Sequence, residues 1–269
     1  MTSLVTTAGD AGFLDALSAG DSPLHRLDPR AKLVTTLAFA AVIASFPKTA
    51  VLPLLPFALF PVALAAAGGV PFGYLARRLL LILPFAILVG AFNPLLDRAP
   101  IPLGPFSVAG GWISFLSILL RFVLTVSGAI VLVALTGIHG LCGALEKIGV
   151  PRALVTQLLV LYRYLFVLLD EAGRMDRARA LRSFGRRKQG ISAAGPFLGT
   201  LLVRTWGRAE RIHLAMLSRG FDGSFRFDRP LRFGLASALF TAGWLVLFAL
   251  FRSVDVPLAL GGFLVAGGR

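Results

Sequence analysis

Long runs of apolar residues recur through the first half of this chain and once more near its end. They span residues 31–47, 50–69, 79–96, 112–136 and 233–251. A helix needs about 20 apolar residues, at about 1.5 Å of rise each, to cross the hydrocarbon core of a bilayer. The pattern therefore predicts an all-α, polytopic membrane protein. The first two spans form a predicted hairpin, because Pro47 and Lys48 separate them.

Two further apolar stretches leave the number of crossings open. Residues 153–169 contain Arg163, so this stretch is either a full crossing or a buried, re-entrant helix. The tail 254–266 is short and is interrupted by Pro257 and by two glycines. Five to six membrane helices are predicted.

Composition supports this class, since 57% of the residues are hydrophobic and only 15% are charged. Soluble domains typically carry about 25% charged residues. Cys142 is the single cysteine, which excludes an intrachain disulfide framework, and no spaced Cys and His pairs indicate a structural zinc site.

Basic residues in the short loops predict the orientation, because such loops are retained on the cytoplasmic side. One side collects seven cations and the other only two, which are Lys48 and Arg98. This bias predicts a cytoplasmic N-terminal arm (1–30), membrane helices (31–170, with an elbow at 137–152), cytoplasmic helices (171–230) and a C-terminal membrane helix or helices (231–269). The seven cations are Arg26, Arg30, Lys32, Arg77, Arg78, Lys147 and Arg152.

Residues 171–222 hold eleven cations and cannot face lipid. At about 2.5 to 3.5 kcal/mol for each basic residue at mid-bilayer, burying them would cost on the order of 30 kcal/mol. The periodicity predicts two amphipathic helices separated by residues 185–190.

The net charge of +14 also suggests nucleic acid as a partner. No aromatic stacking platform or DNA-binding motif accompanies the basic residues, so no nucleic-acid partner is predicted.

Each of these helices carries an apolar stripe beside a basic one. The stripes predict that the apolar face packs while the basic face meets an acidic or polar partner. In the second helix the apolar stripe is Leu202, Trp206, Ala209, His213 and Met216, beside Arg204, Arg208 and Arg211; in the first it is Met175, Ala178, Leu181 and Phe184.

Two Arg-containing triplets fall near the C-terminal ends of these helices. They are Leu181-Arg182-Ser183 and Ser218-Arg219-Gly220. A cation is favoured there by the helix dipole, and a small residue lets the chain turn or a partner approach closely. Lipid phosphates explain most of the other arginines, but lipid headgroups do not require a small residue after Arg.

The chain resembles a family at three places, SPLHRLDPRAKL (22–33), LEKIGVPRAL (145–154) and AMLSRGFDG (215–223). The resemblance is to the transmembrane T component of energy-coupling factor transporters, and within that family to the cobalt-transport Q subunit (CbiQ type). Arg182-Ser183 matches the first of the family's two Arg signatures, and Arg179-Ala180 competes with it one turn earlier.

The resemblance implies a non-catalytic coupling subunit of the bacterial inner membrane. Arg182, Ser183, Arg219 and Gly220, with Arg179 and Ala180 as the alternative register, would dock into two ATP-binding cassette ATPases. These would drive a substrate-binding membrane S component, of the cobalt-binding M type with or without a small N-type subunit. The sequence contains no G-x-x-x-x-G-K-[ST], so ATP and magnesium belong to the partner and no cofactor is predicted in this chain.

Three alternatives stay open. A vitamin importer or a nickel importer would use the same coupling subunit, and an intramembrane enzyme would need a polar cluster.

Asp170, Glu171 and Asp176 suggest the carboxylate cluster of a magnesium-dependent transferase, although salt bridging is the favoured role. His25, His139 and His213 are too scattered to predict a metal site. Gly149-Val150-Pro151 predicts a break between helices, as either a hinge or a rigid turn.

Overall fold

A computed structural model describes residues 17–18, 20–48, 50–96, 100–103, 106–182, 191–223 and 233–253. These residues fall into two compact units. The membrane unit comprises the described residues up to Ala144 together with those from Phe233 onward. The basic unit runs from Leu145 to Gly223.

The membrane unit is built from helices and one short hairpin. Its elements are α1 (Pro29–Ala44), a 3-10 helix (Leu52–Ala58) continued by α2 (Leu59–Ala67), α3 (Phe72–Gly90), α4 (Phe92–Leu96), β1 (Pro100–Leu103), β2 (Phe106–Ala109), α5 (Gly110–Ile148, whose last turn belongs to the basic unit) and α8 (Leu235–Ser253). Strands β1 and β2 pair antiparallel, with Pro100 opposite Ala109. The basic unit contains α6 (Arg152–Arg182) and α7 (Ile191–Ser218).

Four helices in the described part of the chain are long and apolar enough to cross a membrane. They are Phe72–Pro94, Gly110–Ile148, Arg152–Arg182 and Leu235–Ser253, and Leu52–Ala67 is a shorter apolar helix. The predicted class, a polytopic all-α membrane protein, is confirmed. The tail 254–266 lies outside the described residues.

Several element boundaries differ from the predicted ones. The third helix begins at Phe72, so Arg77 and Arg78 lie inside it rather than before it. The span at 50–69 starts as a 3-10 helix, because its prolines lack the N–H groups that an α-helical ladder requires. The β-hairpin at 100–109 was not predicted. Helix α6 continues without a break through residue 170, where two separate segments were expected.

An aromatic cluster joins the last helix of the membrane unit to the first ones. Phe39 of α1 has its ring centroid 4.5 Å from Phe60 and 5.5 Å from Phe248 of α8, and Phe60 meets Trp244 at 4.9 Å. Such pairs contribute about 0.5 to 1.5 kcal/mol each beyond their buried area. The predicted hairpin of the first two spans is therefore completed by α8, which packs against both α1 and the 3-10 helix.

Helix α5 is interrupted at Gly137, whose φ of 65° and ψ of 163° are not helical. Beside this break the ammonium group of Lys32 donates a hydrogen bond to the carbonyl oxygen of Leu135, with 2.9 Å between Nζ and O. Lys32 is only 4% exposed. A charge buried in a membrane domain is costly unless it is paired, and this one pairs with a carbonyl next to the interrupted helical ladder. The break and the lysine thus stabilise each other.

Replacing Lys32 by Met should therefore weaken the membrane unit, because it removes the donor while keeping the length of the side chain. We expect a loss of about 1 to 3 kcal/mol, the cost of an unsatisfied buried polar group. Thermal unfolding of the detergent-solubilised protein measures it. Lys147→Met is the control, since Lys147 lies on α5, the helix that carries Leu135, and is exposed. Equal melting temperatures for the two variants would contradict this role.

Candidate functional site

One carboxylate links the two helices of the basic unit near the middle of α7. Glu171 of α6 accepts a hydrogen bond from Arg174 at 2.6 Å and another from Arg204 of α7 at 2.9 Å. Arg208 of α7 lies 4.0 Å from the same carboxylate. The Glu171 side chain is only 15% exposed, although its arginine partners are largely open to solvent. Charge-assisted bonds to guanidinium groups are the stronger class of hydrogen bond, and here they link α6 to α7.

The two helices run antiparallel. Thr156, in the first turns of α6, donates a hydrogen bond to the carbonyl oxygen of Gly223, just after α7, at 3.2 Å, whereas Glu171 contacts the middle of α7. Arg219 therefore lies near the start of α6, and Arg182 lies at its end. The stretch from Thr156 to Arg182 is about 39 Å long at the rise of an α-helix. The two Arg triplets are thus at opposite ends of the pair.

The second Arg triplet forms the C-terminal cap of α7. Phe221 N–H donates to Met216 O at 3.0 Å and Gly220 N–H donates to Leu217 O at 2.9 Å, which is the Schellman pattern. Gly220 has φ of 78°, a conformation that costs L-residues about 1 to 2 kcal/mol. No atom lies within 4 Å of where its Cβ would be. Glycine is thus required here by the turn, and it leaves the backbone beside Arg219 open.

The first Arg triplet lies at the end of α6. Arg182 is the last residue of the helix, and Leu181 is 82% exposed. Arg179 and Ala180, one turn earlier, are exposed as well. Ser183 and Phe184 lie outside the described residues.

The apolar stripe of α7 does not pack inside the described part of this chain, so the face predicted to pack is left for contact with another molecule. Leu202 and Trp206 are 67% and 74% exposed, and Ala209 and His213 are exposed too. The basic stripe instead faces α6, because Arg204 and Arg208 are drawn to Glu171. The helix pair therefore presents apolar side chains outward.

Other polar residues singled out by the sequence have structural roles. Salt bridging by Glu171 is confirmed, whereas within the described ranges no group of three His, Cys, Asp or Glu side chains could hold a metal ion. His25 donates from Nε2 to Leu17 O at 2.9 Å and accepts at Nδ1 from Ser22 at 2.7 Å. At the elbow, Gly149 has φ of 112°, and Val150 N–H donates to Leu145 O at 3.1 Å, so a capped turn separates α5 from α6.

The sequence did not predict the roles of Glu171 and Lys32. Glu171 was recognised as a salt-bridging residue, but not as the counter-ion that joins α6 to α7. Lys32 was counted only as a loop cation. The signal for Lys32 was its place inside the predicted span 31–47, where a lysine needs a partner.

Fold and site together define a polytopic α-helical membrane protein that carries an antiparallel pair of basic, amphipathic helices. The profile of the CbiQ family, described as a cobalt transport protein, matches residues 20–230. The chain belongs to this family of transmembrane T components of energy-coupling factor transporters.

The names of individual relatives are consistent with this family. A Bacillus subtilis protein named energy-coupling factor transporter transmembrane protein EcfT is 29% identical over 230 residues, which cover 80% of this chain and 86% of the relative. A Listeria innocua protein of the same name is 30% identical over 224 residues, 76% of this chain and 82% of the relative. A putative fused cobalt transport protein CbiMQ of Methanocorpusculum labreanum is 33% identical over 89 residues, 33% of this chain and 15% of the relative.

Neutralising Glu171 should loosen the pairing of α6 and α7. In Glu171→Gln the carboxylate charge is lost, while Arg204 and Arg208 remain facing α6 and repel each other. We expect faster hydrogen exchange in the middle of α7, measured by mass spectrometry. Glu210→Gln, an exposed position on α7 itself, is the control. If both variants exchange like the parent protein, Glu171 does not hold the pair together.

Proposed function

We propose that this protein transmits ATP-driven motion from two ATPase subunits to a substrate-binding membrane subunit. Arg182 and Arg219 would each dock into one ATPase, with Ser183 and Gly220 allowing close approach. The observation that carries the proposal is the placement of the two Arg triplets at opposite ends of one helix pair, which suits two separate partner subunits. ATP and magnesium would be bound by those partners, since the sequence has no P-loop.

The chemistry of the two helix ends supports docking. Neither Arg182 nor Arg219 has an ion-pair partner among the described residues, so their guanidinium donors are available to carboxylates or backbone carbonyls of another protein. Exposed apolar side chains accompany them, namely Leu181 at one end and Leu217 at the other. An Arg anchor beside apolar surface is the composition typical of protein interfaces rather than of a solvated helix.

Cobalt is the proposed substrate. The description of the matching family and the name of the CbiMQ relative both refer to cobalt transport, and that relative joins a Q-type segment to an M-type one. The proposed substrate-binding partner is therefore of the M type, with or without a small N-type subunit. A nickel or vitamin importer is the alternative, because several relatives are named only as energy-coupling factor transporter proteins. The proposed location is the cell inner membrane with the N-terminus in the cytoplasm.

The double variant Arg182→Ala, Arg219→Ala tests the coupling. Removing one partner of a desolvated charged contact typically weakens binding by about 30-fold or more. We therefore expect loss of ATPase co-purification and of ATP-dependent cobalt uptake in reconstituted vesicles. Arg177→Ala, an exposed arginine of α6 that lies outside both Arg triplets and five residues before Arg182, should leave both unchanged. Normal assembly and uptake by the double variant would refute the mechanism.

The same assay can show which arginine of the first signature docks, Arg182 or Arg179. Arg182→Ala alone should reduce co-purification more than Arg179→Ala, because Arg182 ends the helix and Arg179 lies inside it. The reverse order would move the contact to Arg179-Ala180.

The identity of the co-purified substrate-binding subunit tests the substrate separately. A subunit that retains cobalt supports the assignment. One that retains a vitamin would replace cobalt while leaving the coupling role in place.

A further inference from the structure

The arm that precedes α1 covers the break in α5. A Cβ on Gly137 would lie 2.8 Å from the Oγ atom of Ser18 and 3.1 Å from its Cβ atom, and the first distance is shorter than side-chain atoms allow. Ser18 therefore lies directly against the backbone of Gly137. On α1, Lys32 donates to Leu135 O, two residues before the glycine. The break is thus contacted by two segments, one from the arm and one from α1.

His25 closes this arm into a loop. Its Nε2 atom donates a hydrogen bond to Leu17 O at 2.9 Å, and its Nδ1 atom accepts one from the hydroxyl of Ser22 at 2.7 Å. Leu17 O also accepts a bond from Gly20 N–H at 3.2 Å. One imidazole therefore fixes the residue that directly precedes Ser18. We call residues 17–18 and 20–25 the strap.

Gly20 lets the strap pass close to the imidazole. A Cβ on Gly20 would lie 3.0 Å from Cε1 and 3.2 Å from Nε2 of His25. A side chain at this position would press on the ring and displace it from Leu17 O. Leu17 and Leu24 pack against the hydrophobic core of the membrane unit, so the strap also has an apolar anchor.

The closure of the strap is local. Its turn at Gly20, Asp21 and Pro23 is exposed, whereas α1 and α8 share the buried aromatic cluster. Segments with exposed backbone and few buried contacts open at a lower free energy than the core of a domain. Loss of the two His25 hydrogen bonds would therefore release Ser18 from Gly137 while α1 and α8 stay packed.

An interrupted helix needs a restraint from outside. At Gly137 the backbone is not helical, so the hydrogen-bond ladder of α5 does not by itself fix the angle between the two parts of the helix. The groups that pack against the glycine then set this angle. Ser18 is one of these groups, and its position depends on the closed strap.

We propose that the strap is a conformational device for α5. Closed by His25, it holds α5 at one angle, and when it opens, α5 bends at Gly137. The proposal concerns the membrane unit alone and does not rest on the proposed docking of Arg182 and Arg219.

Hydrogen exchange of the full chain in detergent, followed by mass spectrometry, tests the strap. His25→Ala removes both hydrogen bonds of the ring, and we expect exchange of the amides at 133–141 to become about fivefold faster or more. Arg26→Ala is the matched control, since Arg26 is the next residue and is exposed. In His25→Gln the side-chain amide still donates to Leu17 O, so most of the protection should be retained.

The single cysteine provides a second readout. Cys142 lies on α5, five residues after Gly137, and is 2% exposed. Gly20→Val retains His25 but crowds its ring. Alkylation of Cys142 by N-ethylmaleimide should therefore be about fivefold faster in both Gly20→Val and His25→Ala than in the parent protein.

Two results would overturn the proposal. One is unchanged exchange at 133–141 in both His25→Ala and Gly20→Val, which would show that the strap does not restrain the break. The other is an equal rise in exchange at 133–141 and across α1 and α8, because His25 would then support the whole membrane unit rather than the break. Circular dichroism verifies that the variants remain helical.

Discussion

The cost of an unpaired charge or polar group in an apolar environment governs both units of this protein. In the membrane unit, two cations donate to backbone carbonyls where helices break or end. Lys32 donates to Leu135 O beside the interruption at Gly137, and Arg121 donates to Pro47 O in the turn that follows α1. A carbonyl released from a helical ladder is itself an acceptor that must be satisfied, and at Lys32 the buried carboxylate of Asp28 adds a favourable charge. Irregular backbone thus occurs beside one buried lysine and one partly buried arginine.

In the basic unit, a carboxylate forms ion pairs with the cations and so offsets this cost. Glu171 attracts arginines from both helices, and this turns the basic stripe of α7 toward α6. Because one helix cannot bury both of its faces against one neighbour, Leu202 and Trp206 are left outside. The exposed apolar surface is therefore a consequence of ion pairing, and it is also the surface that a coupling subunit would need for contact with other proteins.

Features set by local sequence could be predicted, and those set by pairing could not. Hydropathy identified the helical spans, and the glycine after Arg219 indicated a helix end, since both signals lie within a few neighbouring residues. The direction faced by α7 depends on Glu171, 33 positions before Arg204, and periodicity alone cannot tell which stripe meets that carboxylate. The continuity of α6 was missed for a related reason. The change from apolar to charged composition at residue 170 alters what surrounds the helix, but it does not break the helix.

The uninterrupted α6 bears on how motion would travel if the proposed coupling holds. A helix of 31 residues is about 46 Å long and resists bending, so displacement of its Arg182 end must reappear at its start. There, Gly149 closes α5 with a Schellman turn, and Pro151 is the residue immediately before α6. Such a capped turn fixes its own hydrogen bonds, whereas Gly137 interrupts the hydrogen-bond ladder of α5 itself, beside the contact of Lys32 with Leu135 O. We therefore expect the chain to bend at Gly137 rather than at the turn 149–151.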